Sequence, residues 1–171
     1  MGRTLLKWCP VLACMLLLSG CLHGVREGRE VTVTLPDPYR SSVQILYRSI
    51  ALQGDLERSA AGEVRLELKE PENFCGLTLL LQEGTLHAEY QELSFSVDND
   101  AAPGAAALTL LKDALIAVDG QTLRPAERPE TRLLQLENEH GQLEALLDGE
   151  NFLPERITME GLGFTARFSA S

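Results

Sequence analysis

Between residues 63 and 97 the chain alternates apolar and polar side chains in successive runs separated by turn-forming residues. Val64, Leu66 and Leu68 fall on one side of the first run, and Arg65, Glu67 and Lys69 on the other. Leu86, Ala88 and Tyr90 oppose His87 and Glu89 in the same way. A two-residue period sorts side chains cleanly only in an extended strand, where neighbours point to opposite faces. A loop at 70–76 and the pair Glu83-Gly84 separate the runs at 63–69, 77–82 and 85–90, and a further run covers 93–97. Strands joined so closely form an antiparallel meander, and a meander that is apolar on one face needs another element to cover it.

The rest of the chain supplies more strands and one cover. Residues 30–35 alternate Val31, Val33 and Leu35 with threonines, and Pro36-Asp37-Pro38 ends the run, because proline removes a ladder donor. Segments 42–48 and 50–57 have a weaker strand pattern, with Val43, Ile45 and Tyr47 on one face; a helix over 41–52 is the competing reading. Gly54 marks a bend or bulge. Residues 105–118 are the best helix: Leu108, Leu111, Leu115 and Val118 recur every three or four positions. Ala107, Leu110, Ala114 and Ala117 widen that apolar surface, leaving Thr109, Lys112 and Asp113 for water, and Asp119-Gly120 supplies a stop. After a connector at 121–130, strands are expected at 131–137, 141–147, 156–160 and 163–168, with turns at 138–141 and 148–151. The fold class is mainly β, of the α+β kind, with one principal helix against a curved antiparallel sheet.

The first twenty residues read as a targeting segment: Arg3 and Lys7 precede an apolar run at 8–18 that is short for a permanent membrane span. The run ends in Leu18-Ser19-Gly20-Cys21, which resembles the lipobox of bacterial lipoproteins. That resemblance implies that Cys21 is lipidated, carrying diacylglycerol and acyl chains such as palmitate, and is the first residue of the mature protein. A plain secretory signal is the alternative. Acyl chains contribute roughly 0.8 kcal/mol per buried methylene, so two or three would hold the domain at a cell membrane or outer membrane, on its extracytoplasmic side. The organisation expected is a signal at 1–20, a tether at 21–29 and a single domain at 30–171. Cleavage lowers the basic count from 15 to 13 against 25 acidic residues, about −12 by the same convention. So acidic a domain excludes nucleic acid as a partner. Cys9 and Cys14 leave with the signal and Cys21 is used by lipid, so Cys75 stands alone; it reads as a small buried apolar group.

With the lipobox, the meander, the helix and a second meander containing Phe152-Leu153-Pro154-Glu155-Arg156-Ile157 in order, the chain resembles the lipoprotein carrier fold, the group of LolA and LolB. The stretch from Leu68 through Lys69-Glu70-Pro71-Glu72-Asn73-Phe74-Cys75-Gly76 to Leu77 is similar to the strand, proline, loop and strand of such lipoproteins. The resemblance covers roughly residues 30–168. It implies an incomplete, half-barrel sheet around a helix, with an apolar space between them that accepts acyl chains. It would make Leu66, Leu68, Leu79, Leu81, Leu86, Phe95, Leu108, Leu111 and Leu115 the lining of that space, whereas the periodicity alone makes them core. An anchored Cys21 suits a stationary module more than a soluble carrier.

His23, His87 and His140 are scattered and read as surface residues, with no metal or other cofactor expected. No phosphate-cradling glycine loop, nucleophile elbow or histidine-glutamate metal motif occurs, so the chain is not expected to be an enzyme. Two functions remain for what is expected to be a monomer. One is a non-catalytic envelope module holding an acyl chain or lipidated partner between sheet and helix. The other is a structural or interaction lipoprotein with a filled core and an exposed strand edge.

Overall fold

The computed structural model describes residues 30–59, 61–98, 103–123 and 131–169. Cys21, the signal segment and the tether lie outside the described residues, as do 124–130 of the connector. In chain order the strands are β1 (Val31–Thr32), β2 (Tyr39–Tyr47), β3 (Ile50–Arg58), β4 (Val64–Glu70), β5 (Thr78–Gln82), β6 (Thr85–Tyr90) and β7 (Leu93–Asp98). The helix α1 (Pro103–Val118) follows, then β8 (Thr122–Leu123), β9 (Thr131–Asn138), β10 (Gly141–Asp148), β11 (Pro154–Met159) and β12 (Phe164–Ser169). Ten strands form one antiparallel sheet in the order β7-β6-β5-β4-β3-β2-β12-β11-β10-β9, and β1 pairs separately with β8. The meander of 63–97 is thus one wing, and the strands after the connector form the other. They are joined through β2 and β12, where Val43 faces Phe168 and Tyr47 faces Phe164.

Residues 41–52 are extended, not helical. Along β2 Val43, Ile45 and Tyr47 are buried while Gln44 and Leu46 face out, an alternation that a helix would scatter around its circumference. Arg48 closes the β2–β3 hairpin at φ +53°, in the left-handed region a tight turn requires. The bend read at Gly54 is a register shift against β4, between Gln53 and Gly54. A Cβ at Gly54 would overlap the Glu67 carbonyl oxygen, so the close approach of the two strands requires glycine there.

The helix runs from Pro103, two residues earlier than periodicity placed it, to Val118, and Gly120 at φ +80° turns the chain away. It touches β3, β5, β9 and β12. In a flat sheet β5 and β9 would lie seven strand spacings apart, about 34 Å, longer than the roughly 24 Å of a sixteen-residue helix. The sheet therefore bends around the helix, and β7 and β9 stay apart as its two ends. Leu108, Leu111, Ala114, Leu115 and Val118 are fully buried, and so are Leu110 and Ala107 on the adjoining face. Thr109, Lys112 and Asp113 are half-buried, less exposed than the pattern implied, because the sheet reaches round both flanks; Ile116 is the large apolar helix residue left exposed.

The expected first strand at 30–35 is shorter and placed elsewhere. Only Val31 and Thr32 are strand, and they pair with β8 beyond the helix rather than joining the main sheet. Val33 exchanges backbone hydrogen bonds with Gly120 and Gln121, and both Val33 and Leu35 are buried. Asp119 ties this corner together. Its Oδ2 accepts from Arg58 Nη1 and Nη2 at 3.1 and 3.2 Å, and its Oδ1 accepts from the Leu35 amide at 3.0 Å. A guanidinium beside the carbonyl end of the helix also complements the helix dipole. Nearby Tyr39 is buried at the start of β2, and desolvation pushes its phenol up to about 12 against a small opposing effect of a hydrogen bond with Ser41.

Candidate functional site

Most of the residues assigned to an apolar cavity are packed core. Leu66, Leu68, Leu79, Leu81 and Leu86 on the concave face meet Leu108, Leu111 and Leu115 of the helix in one continuous buried cluster. The space between sheet and helix is filled by these side chains, together with Leu143, Leu147, Ile157 and Phe164 from the other wing. Phe95 is the departure: it is 52% exposed.

Its exposure follows from its place in the sheet. The register sets Phe95 against Ala88, Val97 against Leu86 and Leu93 against Tyr90, so all six side chains share the concave face. Leu86 and Ala88 are buried, but towards the open end of the sheet the helix no longer provides cover. There Tyr90 is 36%, Phe95 52% and Leu93 69% exposed. Phe74, 45% exposed, lies at the same end, since the loop that carries it connects β4 to β5 and Thr78 of β5 pairs with Glu89. The result is an apolar lip on β7, whose outer edge no described strand pairs. Edge strands are commonly protected by lysine, proline or a bulge. Leu93–Asp98 contains neither residue, and its pairing with β6 is regular. Glu92, exposed in the β6–β7 turn, brings negative charge next to the lip, whereas Glu89 points to the convex face.

A groove of about 530 Å³ opens on the opposite, convex face, bordered by Gln44, Leu46, Gln53, Pro71, Thr165 and Arg167. It is a surface feature among outward-pointing side chains, on the wrong side of the sheet to be the expected acyl cavity. Next to it Lys69 pairs with Asp55, and with Ser42 this holds the Asp55 carboxyl below its usual range. The Asp148 carboxyl is likewise lowered, by the backbone amides of Asn151 and Glu150, which it caps in the β10–β11 turn.

Two single residues differ from their sequence reading. Cys75 is exposed, because the short 3-10 turn at Glu72–Phe74 carries it away from the core. His140 is not a free surface group: its Nε2 lies 3.0 Å from Asp113 Oδ2, which the curvature of the sheet brings against the β9–β10 turn. His87, on the convex face of β6, shares a 2.9 Å hydrogen bond with Ser96. The edge lip could have been suspected from composition, since the run Leu93-Ser94-Phe95-Ser96-Val97 carries no charge.

No protein-family model matches the chain, and no curated protein does. Among solved structures the chain is similar to a LolA superfamily protein, NE2245 from Nitrosomonas europaea. The identity is 12% and the TM-score 0.36, over 81% of this chain and 67% of that one. A likeness at this level assigns no ligand.

Proposed function

We propose that this protein is a non-catalytic, lipid-anchored envelope lipoprotein that works by offering the β7 edge and its apolar lip to an extended segment of a protein partner. The observation that carries this reading is the row of Leu93, Phe95 and Tyr90 exposed on one face beside a strand edge that no described strand pairs. Backbone groups of the edge would supply affinity by strand addition, and the lip would select alternate apolar side chains of the incoming strand. Glu92, at the β6–β7 turn beside the lip, favours a basic residue next to that segment. Anchoring rests on the Leu18-Ser19-Gly20-Cys21 motif, which would hold the domain at an extracytoplasmic membrane face and place the edge within reach of envelope proteins.

The test replaces Phe95 with a photo-crosslinking benzoylphenylalanine in cells and uses Leu133, also exposed but on the other wing, as the control position. Light should join position 95, and not 133, to one discrete envelope protein, and Phe95→Asp should abolish its co-purification while leaving the melting temperature within a few degrees. Equal adducts from both positions, or adducts to lipid alone, would overturn strand addition. The anchor has its own readout: intact mass of the membrane-extracted protein should begin at acylated Cys21, and an unmodified product starting elsewhere would remove that part of the proposal.

Acyl binding between sheet and helix is disfavoured by the filled interior, and Ala114 decides the matter. Ala114 is fully buried, so Ala114→Phe should overpack the core and destabilise by roughly 1 to 3 kcal/mol in urea titration. A fluorescent fatty-acid analogue should show no saturable binding to the parent. A tolerated phenylalanine, with saturable lipid binding that it removes, would restore the cavity reading.

A further inference from the structure

His140 occupies the tip of the β9–β10 hairpin, and the turn holds it firmly. Its backbone amide donates to Asn138 Oδ1 at 2.9 Å, and Gly141 at φ +105° lets the chain return directly into β10. The imidazole is thereby aimed at the helix, where Nε2 meets Asp113 Oδ2 at 3.0 Å. Glu139 adds a second carboxylate, with Oε1 3.5 Å from the same nitrogen. One candidate ligand atom from each of the three residues lies within 4.8 Å of the others.

A hydrogen bond explains one of these contacts but not both, since Nε2 carries at most one hydrogen and two carboxylates face it. In the tautomer that leaves Nε2 unprotonated, three electron-rich atoms face one another. Atoms bound to one tetrahedral metal ion at about 2.0–2.2 Å sit about 3.4 Å apart; the two separations from Nε2, 3.0 and 3.5 Å, are near that value, and the two carboxylate oxygens lie within 4.8 Å of each other. We propose that Asp113, Glu139 and His140 form a binding site for a divalent transition-metal cation of the zinc type. The imidazole nitrogen favours zinc over magnesium or calcium, which prefer all-oxygen shells. Glu139 is largely exposed, so water completes the coordination and the site opens to solvent. Asp113 belongs to the helix and the other two to a hairpin that includes the end strand β9, so the bound ion clips that edge of the sheet to the helix.

The test is isothermal titration of the full-length chain with zinc chloride, alongside thermal melts with and without zinc. One saturable site and a zinc-dependent rise in melting temperature are expected. His140→Ala and Asp113→Asn should each weaken binding by at least about ten-fold and remove the rise, since even losing an outer partner of a metal ligand commonly costs that much. Cys75→Ser should change neither, and magnesium should not substitute. If His140→Ala fails to fold, Asp113→Asn, which keeps the side-chain shape, provides the readout. Absence of saturable zinc binding to the parent, or binding that survives in the folded variants, overturns the proposal.

Discussion

Leu111→Asp should unfold the domain or lower its stability by at least about 5 kcal/mol, which is comparable to the whole stability of an ordinary domain. Leu111 lies at the centre of the helix, completely inaccessible, within the cluster that joins both wings of the sheet. Truncating a buried leucine alone costs roughly 2 to 5 kcal/mol, and an aspartate adds a charge with no partner in an apolar interior. Because the helix is the element around which the sheet bends, both wings lose their shared cover together. Leu111→Met keeps the volume and should cost less than about 1.5 kcal/mol. Urea denaturation monitored by circular dichroism separates the two variants. A Leu111→Asp protein with the parent midpoint would mean that the helix is not docked in the sheet.

Asp119→Ala should be the most damaging change at a polar position, at about 3 kcal/mol. Arg58 is 8% exposed, and removing the carboxylate that accepts from both its terminal nitrogens leaves a buried cation unpaired, for which losses of about 3 to 5 kcal/mol are usual. Partial solvent access to Asp119 places the expectation at the lower end. The Leu35 amide loses its acceptor as well, loosening the segment that packs Val33 and Leu35 over the helix end. Replacing both partners, with Arg58→Met added, should recover part of the loss because no charge is then stranded. A single Asp119→Ala variant within about 0.5 kcal/mol of the parent, the range of an ordinary surface change, would show that the pair is not coupled to folding.

Strand and helix types were readable because their signals are local. Alternation at 63–97, turn chemistry at Glu83-Gly84 and at 138–141, and the leucine spacing of 105–118 each depend on neighbours a few residues away. The competing helix at 41–52 illustrates the limit: its apolar residues fit either period weakly, and the β2–β3 pairing decided for strand. Whether the leucines line a space was not legible for a different reason. Leu66 and Leu111 look the same in sequence whether they line a space or fill it, since apolar character does not report the distance to the facing side chain.

The sequence by itself determined the alternation of faces, the position of the helix, the need for glycine or polar residues at the turns, and the acidic balance. Only the tertiary structure decided which strands stand at the ends of the sheet, and with that why Leu93 and Phe95 are exposed while Val64 and Leu66, patterned alike, are buried. It also decided that Arg58 meets Asp119, and that Asp113 meets His140, partners separated by 61 and 27 positions. The physical reason is common to all three. Backbone period fixes the side on which a residue points, but what it meets there depends on how an open ten-stranded sheet bends around one helix, a property of long-range packing that no window of sequence contains.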